Sequence, residues 1–174
     1  MRIAGVIHES VVDGPGVRFV VFAQGCLHHC RGCHNPETWD PDEGREITLR
    51  ALTKELRKVP VSVKGITLSG GEPFLQPREM AMLASKAHSL GLSVTVYTGY
   101  LYEELIQMAL TNPEIGLLLD ETDILVDGPF VEDLKDIQLR FRGSKNQRVI
   151  DLLATKATGR ISLVPEENTQ LQMI

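Results

Sequence analysis

The sequence lacks a hydrophobic run that approaches the ~20 residues a membrane-spanning helix needs, and its start, residues 1–5, lacks the apolar stretch of a signal peptide. It also lacks an excess of positive charge, because 18 Lys and Arg stand against 23 Asp and Glu, for a formal net charge of -5. Composition therefore gives no basic footprint for nucleic acid or for an anionic membrane surface. We expect a cytoplasmic protein with no membrane and no nucleic-acid partner.

Cysteine is scarce as well. The 174 residues contain three cysteines, Cys26, Cys30 and Cys33, all within one short stretch. An odd number cannot close into pairs, and such a cluster in a chain without a secretion signal indicates metal binding or redox chemistry rather than a disulfide framework. The length suits one globular domain that buries roughly 70% of the surface of its unfolded chain, so a second domain is not expected.

The hydrophobic pattern alternates between strands and helices. Strands that alternate with helices pair in parallel through crossovers, which predicts an α/β fold. At about 30 residues per unit the chain holds about five β/α units, fewer than a closed eight-stranded barrel requires, so we expect an open, partial β/α barrel. Predicted strands cover residues 17–24, 65–69, 92–97, 124–127 and 149–152, and predicted helices cover 48–59, the stretch after Pro73 up to Gly91, and 101–110.

The C-terminal residues 165–174 are polar. They are predicted to form a loosely held terminus or a short edge segment, outside a core that covers about residues 8–151.

The cysteines follow the first predicted strand directly, which places them on a loop at the carboxyl end of the sheet, where α/β folds bind ligands. A zinc site with His28, His29 or His34 as fourth ligand is one interpretation, although structural zinc sites usually use two separated pairs of ligands. Cysteines two or three residues apart on one loop are more typical of iron-sulfur clusters. Three thiolates would leave the fourth iron of such a cluster open to a substrate or cofactor. We favour the cluster over zinc and over unligated thiols.

A second motif, Gly70-Gly71-Glu72-Pro73, ends the second predicted strand. Two glycines let a ligand approach the backbone closely, and a strand-end carbonyl or the Glu72 carboxylate could accept hydrogen bonds from an ammonium group. The same residues also suit an ordinary turn from strand to helix, since Gly and Pro mark most such turns.

Together, Cys-x3-Cys-x2-Cys and Gly-Gly-Glu-Pro resemble the radical S-adenosylmethionine superfamily, whose members bind a 4Fe-4S cluster and adenosylmethionine on a partial (β/α) barrel. Two flanking stretches, Asp-Gly-Pro-Gly-Val-Arg-Phe at 13–19 and His-Asn-Pro-Glu-Thr-Trp-Asp at 34–40, are similar to the glycyl-radical-enzyme activases of that superfamily. Residues 126–130 and 141–151 resemble the branch that activates anaerobic ribonucleoside-triphosphate reductase. The resemblance implies one radical S-adenosylmethionine domain in the 174 residues.

This resemblance implies a reaction and its partners. A 4Fe-4S cluster held by Cys26, Cys30 and Cys33 would bind adenosylmethionine at its open iron and cleave it reductively to a 5′-deoxyadenosyl radical. That radical would take a hydrogen atom from a backbone glycine of anaerobic ribonucleoside-triphosphate reductase, the protein substrate. A flavodoxin or ferredoxin would supply the electron.

The same resemblance implies ligand contacts residue by residue. Asp127, at the end of the fourth predicted strand, matches a carboxylate that faces the nucleoside, with a capping aspartate as an equal alternative. One departure is at the position before the last cysteine, where pyruvate formate-lyase activases have an aromatic residue, so adenine contact is expected from a histidine or from backbone. The segment beneath the adenine is matched by Gly32, Cys33 and His34. The turn that receives the methionine ammonium is matched by Gly70, Gly71 and Glu72.

Other residues carry weaker signals. The resemblance favours the polar loop of residues 142–148 as a binding site for the partner or the cofactor carboxylate, and a simply solvated loop is the alternative. Thr98-Gly99-Tyr100 is interpreted first as a turn and only second as a contact. Trp39 either shields the cysteine loop or packs. No functional role is assigned to His28, and His88 is expected at the surface or in packing.

Several alternatives stay open at this point. Within the same class, the chain could activate another glycyl-radical enzyme of the pyruvate formate-lyase type, or act as a small radical enzyme on a metabolite. In a different class, it could be a non-catalytic iron-sulfur electron carrier or a zinc-binding module. A pure electron carrier has no use for an ammonium-binding strand end, which favours an activase. The short chain also suggests a barrel left open on one side, through which a macromolecular substrate could reach the cofactor.

Overall fold

In the computed structural model, which describes residues 1–165, the chain folds around a single mixed sheet. Its strands are β1 (Arg2–Ser10), β2 (Val17–Ala23), β3 (Arg45–Glu46), β4 (Val63–Gly70), β5 (Ser93–Tyr97), β6 (Ile124–Asp127), β7 (Arg148–Asp151) and β8 (Ser162–Leu163). They lie in the order β3-β1-β2-β4-β5-β6-β7-β8. The outer strands β3 and β8 do not pair with each other, so within the described part of the chain the sheet is open. The predicted α/β class and the open architecture are confirmed.

Five α-helices accompany the sheet in residues 1–165: α1 (Leu49–Leu56), α2 (Pro77–His88), α3 (Tyr102–Ala109), α4 (Pro113–Asp120) and α5 (Leu152–Thr158). Side chains of the N-cap residues cap the first turns of α1, α4 and α5, as when Thr48 Oγ1 accepts a hydrogen bond from Ala51 N at 3.2 Å. None of the helices in this range is both long and apolar enough to cross a membrane.

The expectation of uniformly parallel strands is wrong at the edges of the sheet. Strands β2, β4, β5 and β6 are parallel. Strand β7, which corresponds to the fifth predicted strand, pairs antiparallel with β6. The reason is the connection: residues 128–147 return the chain without a crossover α-helix, and a parallel pair needs such a crossover. Strand β1 also pairs antiparallel, and it was not predicted.

A second difference concerns α4. Helix α4 was not predicted, because the pair Asn112-Pro113, which follows the end of α3 and is typical of a helix stop, also begins this next helix. Asn112 Oδ1 accepts a hydrogen bond from Glu114 N, and Pro113 occupies the first helical position, where its missing N–H costs nothing. Of the predicted C-terminal segment 165–174, all but Pro165 lies outside the described residues.

The alternation of side chains along the parallel strands gives the sheet two different faces. One face is apolar and belongs to the core that the helices cover; it carries Phe19, Val21, Ile66, Leu68, Val94, Val96 and Leu125. The side chains between them point to the other face. Near the amino ends of the strands that face is filled by the buried Arg18, which donates to Thr67 Oγ1 and Thr95 Oγ1, both at 3.1 Å. Burial lowers the Arg18 pKa to about 10.

Near the carboxyl ends the same face stays open. Phe22, Ser69 and Tyr97 lie there, one each from β2, β4 and β5, at the end of the sheet where parallel α/β folds place their ligands.

Candidate functional site

A cleft of about 450 Å³ lies over the open part of this face. It is lined by strand ends, by the cysteine loop and by residues between 139 and 147. The volume falls in the range of small-molecule sites, roughly 300–1,000 Å³. The fold thus brings two motifs that residues 34–69 separate in sequence, the cysteines and the Gly-Gly-Glu turn, to one concave site.

All three cysteines line this cleft as free, half-buried thiols. Backbone N–H groups point at two of the sulfurs: those of His28 and His29 at Cys26, and that of Asn35 at Cys33 Sγ, at 3.4 Å. Burial raises the Cys26 pKa, and the two backbone hydrogen bonds offset part of that rise. Amide donors aimed at sulfur are what a thiolate ligand of an iron-sulfur cluster requires, so the donor set fits a cluster bound at this loop.

The zinc interpretation finds less support in the geometry. A zinc ion needs several ligands converging within about 2.0–2.3 Å of one point. Residues 1–165 contain no group of three or more His, Cys, Asp or Glu side chains arranged to hold a single metal ion. Cluster ligands, by contrast, bind different irons and so need not converge on one point.

The Gly-Gly-Glu turn packs directly against the strand that leads into the cysteine loop. Gly71 N donates to Ala23 O at 2.9 Å, and Glu72 N donates to Gly25 O at 2.8 Å. A Cβ on Gly70 would lie 2.6 Å from Phe22 Cα, and the φ of Gly70 is +90°. Backbone packing therefore already explains Gly70, as the ordinary-turn interpretation held, while both glycines also line the cleft. Their contact with a ligand ammonium stays a prediction.

Glu72 is fully buried beneath the turn, and its carboxylate is held by hydrogen bonds from within the chain. It accepts hydrogen bonds from Phe74 N at 3.0 Å, from the Thr98 hydroxyl at 3.0 Å and from Gly99 N at 2.9 Å. The fourth donor is His28 Nε2, at 3.0 Å. Thr98 and Gly99, interpreted first as a turn, are thus also part of the site.

His28 is a site residue that sequence reasoning missed. It lines the cleft, and its ring packs edge-on against Tyr100 with centroids 4.4 Å apart. A signal existed in its position midway between the first two cysteines, but a histidine on a loop has no pattern that names its partner. Only the fold brings Glu72 and Gly99 next to it.

The predicted adenine segment is divided by the structure. His34 lines the cleft with Cys33, and its ring is tilted against Phe130 with centroids 5.0 Å apart. Gly32 does not belong to the wall; a Cβ there would meet the Glu132 side chain within 3.2 Å, and the φ of Gly32 is +72°. Phe130 and Phe141 add aromatic surface that was not assigned to the site.

Asp127 ends β6 as expected, but it lies outside the cleft wall. Its buried carboxylate accepts hydrogen bonds from Arg148 and, at 2.8 Å, from Tyr102 N. Arg148 also binds Glu103 at 2.7 Å. These contacts support the alternative interpretation of Asp127 as a capping aspartate. A contact between Asp127 and a nucleoside stays a prediction that this hydrogen bonding does not favour.

The polar loop of residues 142–148 serves two purposes. Arg142, Gly143 and Gln147 line the cleft. Gln147 also orders the loop, because its Oε1 accepts from Gly143 N at 2.8 Å and its Nε2 donates to Gly128 O at 3.0 Å. The neighbouring Phe141 adopts a φ of +57°, which is strained for a bulky residue and marks a backbone fixed by its surroundings.

Trp39 packs on the cysteine loop. Its ring stacks on the ring of His29, with centroids 4.9 Å apart and planes 7° from parallel, and its carbonyl accepts from Cys26 N at 3.0 Å. Trp39 therefore packs on the cysteine loop, as one of its two interpretations expected. The shielding of a cluster by the same ring stays a prediction.

Comparison with known proteins agrees with this geometry. A family model described as a 4Fe-4S single cluster domain matches residues 12–150. The chain is 37% identical over 148 residues to the anaerobic ribonucleoside-triphosphate reductase-activating protein of Escherichia coli strain K12, which covers 80% of this chain and 92% of that protein. It is 38% identical over 148 residues to the protein of the same name from Salmonella typhimurium, with the same coverage. The protein of that name from Enterobacteria phage T4 is 35% identical over 143 residues, covering 79% of this chain and 86% of its own length.

Proposed function

We propose that this chain, which belongs to the family of anaerobic ribonucleoside-triphosphate reductase-activating proteins, is a radical S-adenosylmethionine activase that generates a glycyl radical on that reductase. The observation that carries the proposal is the meeting of the cysteine loop and the Gly-Gly-Glu turn in one cleft of ligand size. An iron-sulfur electron carrier needs the first of these features and not the second.

The chain's own part in this chemistry begins at the cysteine loop. Cys26, Cys30 and Cys33 would hold the cluster, and amide groups of the loop would stabilise the charge on the sulfurs of Cys26 and Cys33. When bound, a 4Fe-4S cluster with one open iron supplies the electron that cleaves adenosylmethionine into methionine and a 5′-deoxyadenosyl radical, which then takes a hydrogen atom from a glycine. The protein's task is to orient the substrate and to exclude water.

The opposite parts of the cleft suit the two ends of adenosylmethionine. The backbone at Gly70 and Gly71 would receive the methionine end, because carbonyl oxygens at a strand end accept hydrogen bonds from an ammonium group. The tilted rings of His34 and Phe130 would hold the adenine by packing against its face. A cleft of about 450 Å³ has room for a ligand of this kind.

The mouth of the cleft suits a polypeptide substrate. Val12 on the rim is 71% exposed, and Leu27 on the cysteine loop is 70% exposed. Exposed apolar side chains around a cleft mark a contact surface for a partner. We infer that the glycine-bearing segment of the reductase approaches here, and that a flavodoxin or ferredoxin supplies the electron. The cytoplasmic location stays a prediction, as does the treatment of residues 1–174 as one domain.

Anaerobic reconstitution tests this function. The protein, loaded with iron and sulfide and reduced with dithionite, is expected to convert adenosylmethionine into 5′-deoxyadenosine and methionine in equal amounts. Cys30→Ala, treated in parallel, is the matched control and should form neither product. A wild-type sample that holds a cluster but leaves adenosylmethionine intact would overturn every radical-enzyme interpretation and leave the electron carrier.

A further inference from the structure

Among residues 1–165, His28 is the one side chain that ties the cysteine loop to the Gly-Gly-Glu turn through the Glu72 carboxylate. Its Nε2 lies 3.0 Å from Glu72 Oε2, and only 17% of its side chain is exposed. We propose that His28 is a positioning residue that fixes the distance between the cluster-binding loop and the turn, and so sets the affinity for adenosylmethionine. The proposal rests on the proposed function.

First, the Glu72 carboxylate can accept only a limited number of hydrogen bonds. A carboxylate offers about four acceptor sites, and four donors already occupy them: Phe74 N, the Thr98 hydroxyl, Gly99 N and His28 Nε2. A carboxylate only accepts, so Nε2 carries the proton in this contact. Three of the donors come from the turn itself or from the end of β5. Among the described residues only His28 comes from the cysteine loop, so it adds a side-chain link to the backbone hydrogen bond from Glu72 N to Gly25 O, which joins the turn to the residue before the loop.

The second step is the fit of the ring. A Cβ on Gly99 would lie 2.6 Å from both Cγ and Nε2 of His28, so the ring fills the space that any other residue at position 99 would occupy. Tyr100 borders it on another side. A ring fixed both by contact and by a hydrogen bond cannot change rotamer without leaving Glu72. The loop is therefore held in position before any cofactor binds. Less conformational entropy is then lost on binding, which increases the affinity.

The third step concerns the orientation of the ring. The contact with Glu72 uses Nε2, which fixes the tautomer and the direction of the imidazole beside the cysteine loop. A carboxylate that holds one ring nitrogen in this way is a common device for orienting a histidine at a metal site. The Glu72 carboxylate accepts hydrogen bonds from His28, Thr98 and Gly99 and so holds them in place. It has no vacant acceptor site for a ligand ammonium.

The experiment compares reconstituted wild type with His28→Ala and His28→Gln. The reduced cluster is followed by electron paramagnetic resonance while adenosylmethionine is titrated, and iron and sulfide per chain are measured in each sample. We expect His28→Ala to keep the cluster and to bind adenosylmethionine at least tenfold more weakly, the fold-change expected for loss of a hydrogen bond to a charged group. Gln carries an N–H at the same ε position as the histidine Nε2, so His28→Gln should recover most of the affinity. His8→Asn, at an exposed histidine paired with Glu55, is the control and should match wild type.

Distinct results would overturn the proposal. An affinity of His28→Ala within twofold of wild type would do so, as would a loss of equal size in His8→Asn. If His28→Ala holds no cluster, His28→Gln decides: a restored cluster and affinity support a positioning role, and a cluster absent from both variants would assign His28 as a ligand instead. A wild-type cluster signal that adenosylmethionine leaves unchanged would refute the proposed function, and hydrogen exchange of the cofactor-free protein then tests the contact itself, since Gly99 N–H must exchange faster in His28→Ala alone.

Discussion

Gly99→Ala should destabilise the protein only while His28 is present. The backbone of Gly99 lies outside the left-handed region, so alanine is compatible with its conformation. The new Cβ would lie 2.6 Å from two ring atoms of His28. Relief requires the ring to leave its slot and to give up the hydrogen bond to Glu72, which is worth about 1.5–3 kcal/mol for a charged acceptor. Overpacking costs of about 1–3 kcal/mol agree with that figure.

The assay is urea and thermal unfolding of the reduced, cofactor-free protein. A loss of about 2 kcal/mol should lower the melting temperature by roughly 4–8 °C in a chain of this size. In the His28→Ala background the same substitution should cost less than about 0.5 kcal/mol, so the double-mutant cycle should show a coupling energy near 1.5 kcal/mol. Gly5→Ala is the control, because its Cβ would meet no atom within 4 Å. Equal costs of Gly99→Ala in both backgrounds would refute the packing of His28 against Gly99.

Three further outcomes are expected. Cys30→Ala should lose the visible absorption of the cluster yet unfold within about 0.5 kcal/mol of the cofactor-free wild type, since its loop lies outside the helix-covered core; global unfolding would contradict this. Arg148→Ala should cost about 3 kcal/mol in urea unfolding, because it leaves the buried Asp127 carboxylate without its cation, and a neutral result would show that this carboxylate is not paired as described. Burial lowers the pKa of His88, but the hydrogen bonds that its ring donates to two carboxylates, those of Asp123 and Glu121, outweigh burial and raise the pKa, so its stabilisation is complete below pH ~6.5 and is lost as the pH rises through the raised value. With the side chain 34% exposed the effect should stay under about 1 kcal/mol, and His88→Gln should lower the melting temperature more at pH 6 than at pH 9; the opposite order would refute the pairing.

Periodicity predicted the central strands well, because successive side chains along them point to opposite faces of the sheet. In β4, Ile66 and Leu68 face the helices, while Thr67 and Ser69 point to the other face, where Thr67 contacts Arg18 and Ser69 lines the cleft. Strand β1 was not predicted, since Arg2–Ser10 carries only two residues that are fully buried. Helix α4 was missed because Asn112-Pro113 is both a helix stop and a helix start, and a local signal cannot tell these apart.

The site was predictable where residue type and spacing alone carry the chemistry. The three cysteines need only one loop, and the structure places all of them in the cleft. Asp127 was assigned by its position at a strand end, but its actual surroundings depend on Arg148, which arrives from the antiparallel strand β7. The pairing of His28 with Glu72 could not be predicted for the same reason, since it joins residues 44 positions apart through packing that only the folded chain defines.

The central claim is that this chain generates a glycyl radical on anaerobic ribonucleoside-triphosphate reductase. The most direct measurement is electron paramagnetic resonance of that reductase after anaerobic incubation with the reduced, cluster-loaded protein and adenosylmethionine. We expect a glycyl-radical signal that requires the reductase, the cluster-loaded protein and adenosylmethionine together. The signal should be absent when Cys30→Ala replaces the wild type. No signal on the reductase, together with a signal on a pyruvate formate-lyase type enzyme under the same conditions, would contradict it.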